Sequence, residues 1–168
     1  MNPNVTYLVS RLKIVKIPRM QKNEIEELIN TQTLCRIAFK EKNHPYIAPF
    51  QYVKVNGTLY FHFTNYGKKM KLFERDDRVC VEFESYRPDL SEYCFVVMRG
   101  SLQIVDDPDE RAKAIEEMAR VGSERLSENF LIAHGFNIED GWSSFTPDKP
   151  LVMVKLKDVS EVIGLKFP

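Results

Sequence analysis

The dipeptide Asn56-Gly57 constrains the fold of this chain more than any other feature. It separates two runs of strand-forming residues, Tyr46–Val55 and Thr58–Phe63. A two-residue type I′ turn needs positive φ angles at both central positions, which asparagine and glycine tolerate best. The pattern therefore predicts an antiparallel β-hairpin, and with it a sheet whose strands follow one another in the chain.

Sequence patterns on either side of this hairpin predict further strands and therefore a mainly β protein. Further strands are predicted at residues 34–39, 79–86 and 93–105, with a bulge or sharp bend at Arg99-Gly100. Residues 151–156 and 159–167 are expected to form one last strand, with a candidate break between them. Helices are predicted at residues 24–30, 68–75, 107–119 and 123–133, the third starting at Asp107-Pro108.

Hairpin-connected strands with a few short helices are typical of a small antiparallel β-barrel. The strands do not alternate with long helices, and no Gly-x-Gly-x-x-Gly motif occurs, which disfavours a doubly wound nucleotide-binding sheet. A length of 168 residues fits a single domain over residues 1–168.

Charge and hydropathy argue against several classes of partner. The 24 basic and 24 acidic residues balance, so no global field attracts nucleic acid or an anionic membrane. No run of about 18 apolar residues is present, and the apolar stretch 5–9 lacks a basic start and a cleavage site. Cys35, Cys80 and Cys94 lie in apolar runs, which favours reduced, buried thiols in a cytoplasmic protein.

The segment after strand Thr58–Phe63 carries the strongest indication of a ligand. Thr64, Asn65 and a glycine turn come first, and Lys68 and Lys69 then open a helix. We expect Thr64 and Asn65 to cap that helix, whose first N–H groups point outward. These donors and two ammonium groups suit a phosphate, although solvated lysines are the alternative. With the aromatic strand beside them to take a flat ring, they predict a flavin-phosphate site.

His62 is the candidate for chemistry within this strand. Alternation places it on the face opposite Phe61 and Phe63. If both phenylalanines pack inside a barrel, His62 faces a partner subunit or the edge of the flavin. There it can donate a hydrogen bond, protonate a substrate or ligate iron. A histidine satisfied by a neighbouring strand is the equally weighted alternative.

Two further features are candidates for contact with a ligand. Pro49 disfavours central strand pairing, so backbone groups near it, with Gln51 and Tyr52, are candidates for bonding a ring edge. An edge-strand proline without a functional role is the alternative. Trp142 is the only tryptophan and is expected either to cover a ligand or to plug one end of the barrel.

Together these residues resemble the FMN-binding split barrels related to pyridoxamine 5′-phosphate oxidase, in particular the branch containing the nitroimidazole-resistance (Nim-type) proteins. The resemblance spans about residues 18–120. It rests on the helix and strand at 24–39, Pro45-Tyr46-Ile47-Ala48-Pro49-Phe50-Gln51-Tyr52, Leu59-Tyr60-Phe61-His62, Gly67-Lys68-Lys69, Glu74-Arg75-Asp76-Asp77-Arg78-Val79 and Arg99-Gly100-Ser101-Leu102.

The resemblance implies a homodimer that binds one flavin mononucleotide (FMN) at each of two active sites on the subunit interface. It implies phosphate contacts from Thr64, Asn65, Lys68 and Lys69. The residues implied beside the ring are Pro49, Phe50, Gln51, Tyr52, Phe61, His62 and Phe63. The arginine- and tryptophan-rich ending of pyridoxamine phosphate oxidase itself is absent, which argues against vitamin B6 oxidation.

We therefore expect a cytoplasmic flavin-dependent oxidoreductase that acts on a small molecule, with His62 as the candidate catalytic residue. Three alternatives stay open. The chain is a non-catalytic module that stores or senses flavin, a barrel that binds a deazaflavin or a haem with His62 as axial ligand, or a structural dimer without a chromophore.

Overall fold

The computed structural model of the chain describes residues 16–133, 136–137, 139–149 and 151–167. Six strands in this part pair antiparallel. They are β1 Leu34–Phe39, β2 Tyr46–Val55, β3 Thr58–Phe63, β4 Arg78–Tyr86, β5 Tyr93–Ile104 and β6 Val152–Phe167. They close into a barrel in the order β1-β2-β3-β6-β5-β4, which confirms the predicted antiparallel barrel. The predicted features of the 5–9 stretch lie outside the described residues.

The turn chemistry that predicts the hairpin is present in the structure. Asn56 and Gly57 adopt φ angles of 50° and 84° and join β2 to β3. The predicted bulge is also confirmed, because the pairing of β5 with β6 shifts register between Arg99 and Ser101. Opposite the bulge, β6 runs without the candidate break, and Asp158 takes a φ of 49° there.

Helices flank the barrel at several points. In the described residues they are α1 Lys22–Thr31, α2 Lys68–Arg75, α3 Pro108–Arg125 and α4 Glu128–Ala133, with a 3-10 turn at Gly141–Ser144. No helix of this part is both long and apolar enough to cross a bilayer.

The predicted start of α3 is confirmed, but its predicted end is wrong. The Asp107 carboxylate accepts a hydrogen bond of 2.7 Å from the backbone N–H of Glu110, as an N-cap should. The helix continues past residue 119 to Arg125, so residues 123–125 form its last turn and do not start a second helix. The reason is that its buried face continues through Met118 to Gly122.

Apolar side chains form two layers, one inside the barrel and one outside it. The inner cluster includes Phe39, Phe50, Phe61, Phe63 and Phe83. The outer cluster packs the α3 residues Ala114, Ile115 and Met118 on the outward-facing side chains of Val53, Tyr60 and Met153. The inner face of β2 and β3 is therefore packed with barrel residues, and part of the outer face is covered by α3.

A polar contact anchors the first turn of α3 to the barrel. The Glu110 carboxylate accepts hydrogen bonds from the Lys155 ammonium at 2.8 Å and from the Tyr60 hydroxyl at 2.7 Å. The Lys155 bond, followed by the Tyr60 bond, lowers the pKa of Glu110. Burial and then the neighbouring carboxylate raise the pKa of Tyr60 to about 12. The Glu110 carboxylate therefore stays ionised and the Tyr60 hydroxyl stays protonated, and these are the states whose hydrogen bonds hold the helix in place.

The three cysteines are free thiols, but they are not equally buried. Cys35 lies in the barrel core, and burial raises its pKa. Cys80 and Cys94 are partly exposed. The expectation of buried thiols is therefore confirmed for Cys35 alone.

Candidate functional site

A small pocket lies where β2, β3 and α2 meet the segment that follows α3. Its volume is about 40 Å³. One side comes from the barrel and α2, through Pro49, Phe50, Gln51, His62, Thr64 and Lys69. The other side comes from α4 and the following segment, through Phe130, Leu131, Phe136, Trp142 and Phe145. Six predicted site residues are thus brought together.

Strand alternation explains which predicted residues reach the pocket. Phe61 and Phe63 are buried inside the barrel, and the Phe63 ring stacks on Phe50 with centroids 4.7 Å apart. His62 therefore points to the outer face and lines the pocket. Tyr52 also faces inward, where its hydroxyl donates to the Ile29 carbonyl at 2.5 Å. The side chains of Phe61, Phe63 and Tyr52 do not line the pocket.

The two adjacent lysines point to different surroundings. The Lys68 ammonium lies 2.9 Å from a Glu41 carboxylate oxygen and 4.7 Å from the centre of the Tyr46 ring. The Lys69 ammonium lies 4.6 Å from the centre of the Phe50 ring and lines the pocket. Burial lowers the pKa of Lys69, and no carboxylate pairs with it in the described part of the chain. Lys69 is therefore the lysine placed to meet an anion.

The start of α2 differs from the predicted capping. Gly67 is the N-cap residue, with a φ of 92°, and no side chain caps the helix. Thr64 instead donates its hydroxyl to the Tyr66 carbonyl at 2.8 Å, within the turn. The expectation that Thr64 and Asn65 cap α2 is wrong. Gly67, which follows both residues, takes the N-cap position itself, because glycine readily adopts a positive φ. The first N–H groups of α2 consequently lack a side-chain cap.

Gln51 is the buried polar side chain of the pocket. It is only 8% exposed, and its amide nitrogen has no hydrogen-bond partner in the described structure. Leaving a buried donor unpaired costs about 1–3 kcal/mol. A ligand that supplies the missing acceptor would explain why a glutamine stands at this buried position.

Four aromatic rings, which we call the aromatic cap, cover the pocket: Phe130, Phe136, Trp142 and Phe145. His62 meets Phe145 edge to face at 5.2 Å and Phe136 at 6.3 Å between ring centres. Trp142 stacks on Phe130 with centroids 6.1 Å apart. The tryptophan therefore lies outside the barrel beside the pocket and does not plug its end.

Trp142 also explains a glycine in the last turn of α3. A Cβ atom at Gly122 would lie 2.2 Å from the Trp142 ring, so only glycine leaves room for this contact. Sequence reasoning missed Phe130, Leu131, Phe136 and Phe145 as pocket residues. Gly122 is a weak local signal, because a glycine within a helical pattern can have a packing reason, but it does not identify the packing partner.

Comparison with known proteins gives a family and a set of similar folds. The family of pyridoxamine 5′-phosphate oxidases matches residues 21–131, about two thirds of the chain. No curated protein sequence matches the chain significantly.

Among solved structures, an FAD-binding protein from Mesorhizobium loti superposes with a TM-score of 0.68 at 15% identity, covering 92% of this chain and 100% of that one. The FAD-binding protein of Mycobacterium smegmatis gives a TM-score of 0.59 at 17% identity, covering 90% and 98%. A NimC/NimA family protein from Clostridium acetobutylicum gives 0.53 at 14%, covering 86% of each chain. At these identities the likeness is one of fold.

Proposed function

This chain belongs to the pyridoxamine 5′-phosphate oxidase family, and we propose that it binds FMN in the pocket between β2, β3 and α2. The observation that carries the proposal is a set of unmatched donors in one place. The Gln51 amide nitrogen and the Lys69 ammonium both line the pocket without an acceptor or a carboxylate in the described chain. The uncapped start of α2 lies beside them.

The phosphate would take the end of the pocket near α2. A phosphate there gives Lys69 the counter-charge that it lacks and offers acceptors to the first N–H groups of the helix. The Thr64 hydroxyl lines the same pocket. Lys68 would contribute little, because Glu41 already neutralises it.

The flavin ring would lie along the outer face of β2 and β3. Gln51 would donate its free amide hydrogen to an acceptor on the ring, and Pro49 and His62 line the same space. Lys69 is the only lysine or arginine among the described lining residues, which suits the single phosphate of FMN better than a diphosphate. Two of the similar structures are FAD-binding proteins, so FAD is the second candidate.

We propose a flavin-dependent oxidoreductase that acts on a small molecule. A bound flavin supplies reversible electron transfer, and the protein holds it and shapes access to it. His62, placed between the barrel and the aromatic cap, is the candidate to hold or donate a proton at its imidazole. The homodimer with flavin sites at its interface, the cytoplasmic location and the single domain over residues 1–168 are part of the same proposal.

Replacing each lysine separately tests the site. Lys69→Ala should weaken FMN binding roughly 10- to 100-fold, because a hydrogen bond to a charged group is worth about 1.5–3 kcal/mol. Lys68→Ala is the matched control and should weaken binding by at most about fivefold, since an exposed ion pair contributes about 0–1 kcal/mol.

Equilibrium dialysis against FMN, followed by an absorption spectrum of the desalted protein, measures both variants. Equal effects of the two substitutions would contradict the assignment of Lys69. A wild-type protein that does not retain FMN would contradict the proposal itself, and a Soret band would point instead to haem and His62.

A further inference from the structure

The two neighbouring lysines at the start of α2 are held in different ways. The Lys68 ammonium has a carboxylate partner, Glu41, in addition to the ring of Tyr46. The Lys69 ammonium lies 4.6 Å from the centre of the Phe50 ring, and no carboxylate pairs with it in the described part of the chain. An aromatic ring thus holds Lys69 where a counter-ion holds Lys68.

The Phe50 ring is a rigid support for this ammonium. It is 4% exposed and stacks on Phe63 with ring centres 4.7 Å apart. The rings of Phe61 and Phe39 meet it at 6.2 and 6.1 Å. A ring packed this closely cannot shift without moving its neighbours. Its face therefore marks a fixed position for the Lys69 ammonium.

A ring and a carboxylate that hold a lysine have different consequences for an incoming anion. The face of an aromatic ring carries partial negative charge, which attracts a cation without neutralising it. A carboxylate neutralises the ammonium and competes with a phosphate for the same N–H donors. Lys69 therefore keeps its full charge for an anion in the pocket, whereas Lys68 does not.

Burial makes this support important. Burial lowers the pKa of Lys69, because an ammonium that loses water is less stable as a cation. The ring face returns part of the lost stabilisation, since the attraction between a cation and a ring strengthens when the cation is desolvated. The contact also restricts a long side chain with several rotatable bonds, so less conformational freedom is lost when an anion binds.

We propose that Phe50 is a positioning residue that gives the pocket its selectivity for a flavin with a phosphate group, and that it acts through Lys69. This inference rests on the proposed function. Phe50 holds the Lys69 ammonium in place for the phosphate. Because the Phe50 ring also lines the pocket, direct contact with the flavin ring is the competing role.

The ratio of the riboflavin dissociation constant to the FMN dissociation constant separates these two roles. Contact between Phe50 and the flavin ring would change both constants by the same factor and leave the ratio as it is. Support of Lys69 changes the FMN constant alone, because riboflavin has no phosphate. A role of Phe50 in core packing alone gives no reason for the ratio to change.

Phe50→Leu should lower this ratio by about three- to tenfold in equilibrium dialysis, the change expected for the loss of one cation–π contact. Because Phe50 belongs to the barrel core, a second variant carries 3,4,5-trifluorophenylalanine at this position, which closely preserves the shape of the ring. Fluorine draws electron density from the ring face and weakens its attraction for a cation. This variant should therefore lower the ratio in the same direction, and it serves if the leucine variant does not fold.

Two controls use the neighbouring lysine and the lysine itself. Tyr46→Leu removes the ring beside Lys68 and should leave the ratio unchanged within about twofold, because Glu41 still neutralises that lysine. In a Lys69→Ala background, Phe50→Leu should not lower the ratio further, since effects that pass through one residue are not additive.

The outcomes distinguish this inference from the proposed function. If the wild type prefers FMN and both Phe50 variants keep that preference, the positioning role is wrong and the proposed function stands. The same holds if Tyr46→Leu lowers the ratio as much as Phe50→Leu. If the wild type binds the two ligands equally or retains neither, the proposed function fails and the positioning role fails with it.

Discussion

At the scale of single residues, Gln51 shows a conflict between stability and function. A buried amide nitrogen without a partner destabilises the folded chain, and an apolar side chain of similar size would avoid this cost. Residues that break a local packing rule are expected at functional sites. Gln51, with its unpaired buried amide, and Lys69, with its partly buried ammonium, both break such a rule, and they line the same pocket.

Gln51→Met should therefore move stability and binding in opposite directions. The free energy of unfolding without ligand should rise by up to about 1–3 kcal/mol, because the unpaired donor is removed. FMN binding should weaken, because the ring loses a hydrogen bond. Urea denaturation and equilibrium dialysis measure the two effects.

Gln103→Met is the control, because Gln103 lies exposed on β5. It should change stability by no more than about 0.5 kcal/mol. If Gln51→Met lowers both stability and affinity, the amide has an important role within the protein and the interpretation of Gln51 as a ligand contact is wrong.

The sequence does not separate Lys68 from Lys69, although it identifies both. Their different roles come from Glu41 and Tyr46, which the barrel brings to Lys68, and from Phe50, which it brings to Lys69. These partners lie far away in the chain, so no local pattern predicts them. Phe61 and Phe63 show the same limit, because alternation predicts opposite faces for them and His62 but the barrel decides which face is the interior.

At the scale of whole elements, α3 connects the barrel to the aromatic cap. Glu110 anchors its first turn to Tyr60 and Lys155, Arg111 holds the chain after Phe145, and Gly122 receives the Trp142 ring. The helix thus sets the position of the cap relative to β2 and β3. Gly122 does not line the pocket itself, but a change there should reach the pocket through Trp142, which does.

A double-mutant cycle between Gly122 and Trp142 tests this packing. Gly122→Ala alone should destabilise the protein, because the new Cβ would lie 2.2 Å from the indole ring. In the Trp142→Ala background the same change should stabilise the protein by about 0.5–1 kcal/mol, since alanine favours a helix over glycine. Thermal and urea unfolding of the four proteins give the coupling energy. Additive effects would show that the indole does not pack on Gly122.

Elements with strong local signals are the ones that sequence predicts well. The bounds of β1, β2, β3 and α2 agree with prediction because alternation, the Asn56-Gly57 turn and the charged helix start act locally. The end of α3 does not, because Gly122 is typical of a helix break when its partner Trp142 is unknown. The continuous β6 likewise depends on the bulge in β5 opposite it.

At the scale of the whole molecule, the barrel assembles a pocket from distant parts of the chain. Residues of β2, β3 and α2 supply its polar groups, and Phe130, Phe136, Trp142 and Phe145 form its aromatic cap. Barrel class and family follow from sequence, and both are confirmed by the strand order and by the family match. The cap was not predictable, since its position depends on packing against α3 and on no local pattern.

The central claim, that the pocket recognises a flavin through its phosphate, is tested most directly by comparing FMN with riboflavin in equilibrium dialysis. Wild-type protein should bind FMN roughly 10- to 100-fold more tightly than riboflavin, since the two differ only by the phosphate that Lys69 would meet. In Lys69→Ala most of this difference should disappear. Equal affinity of the wild type for the two ligands, or retention of neither, would contradict the account.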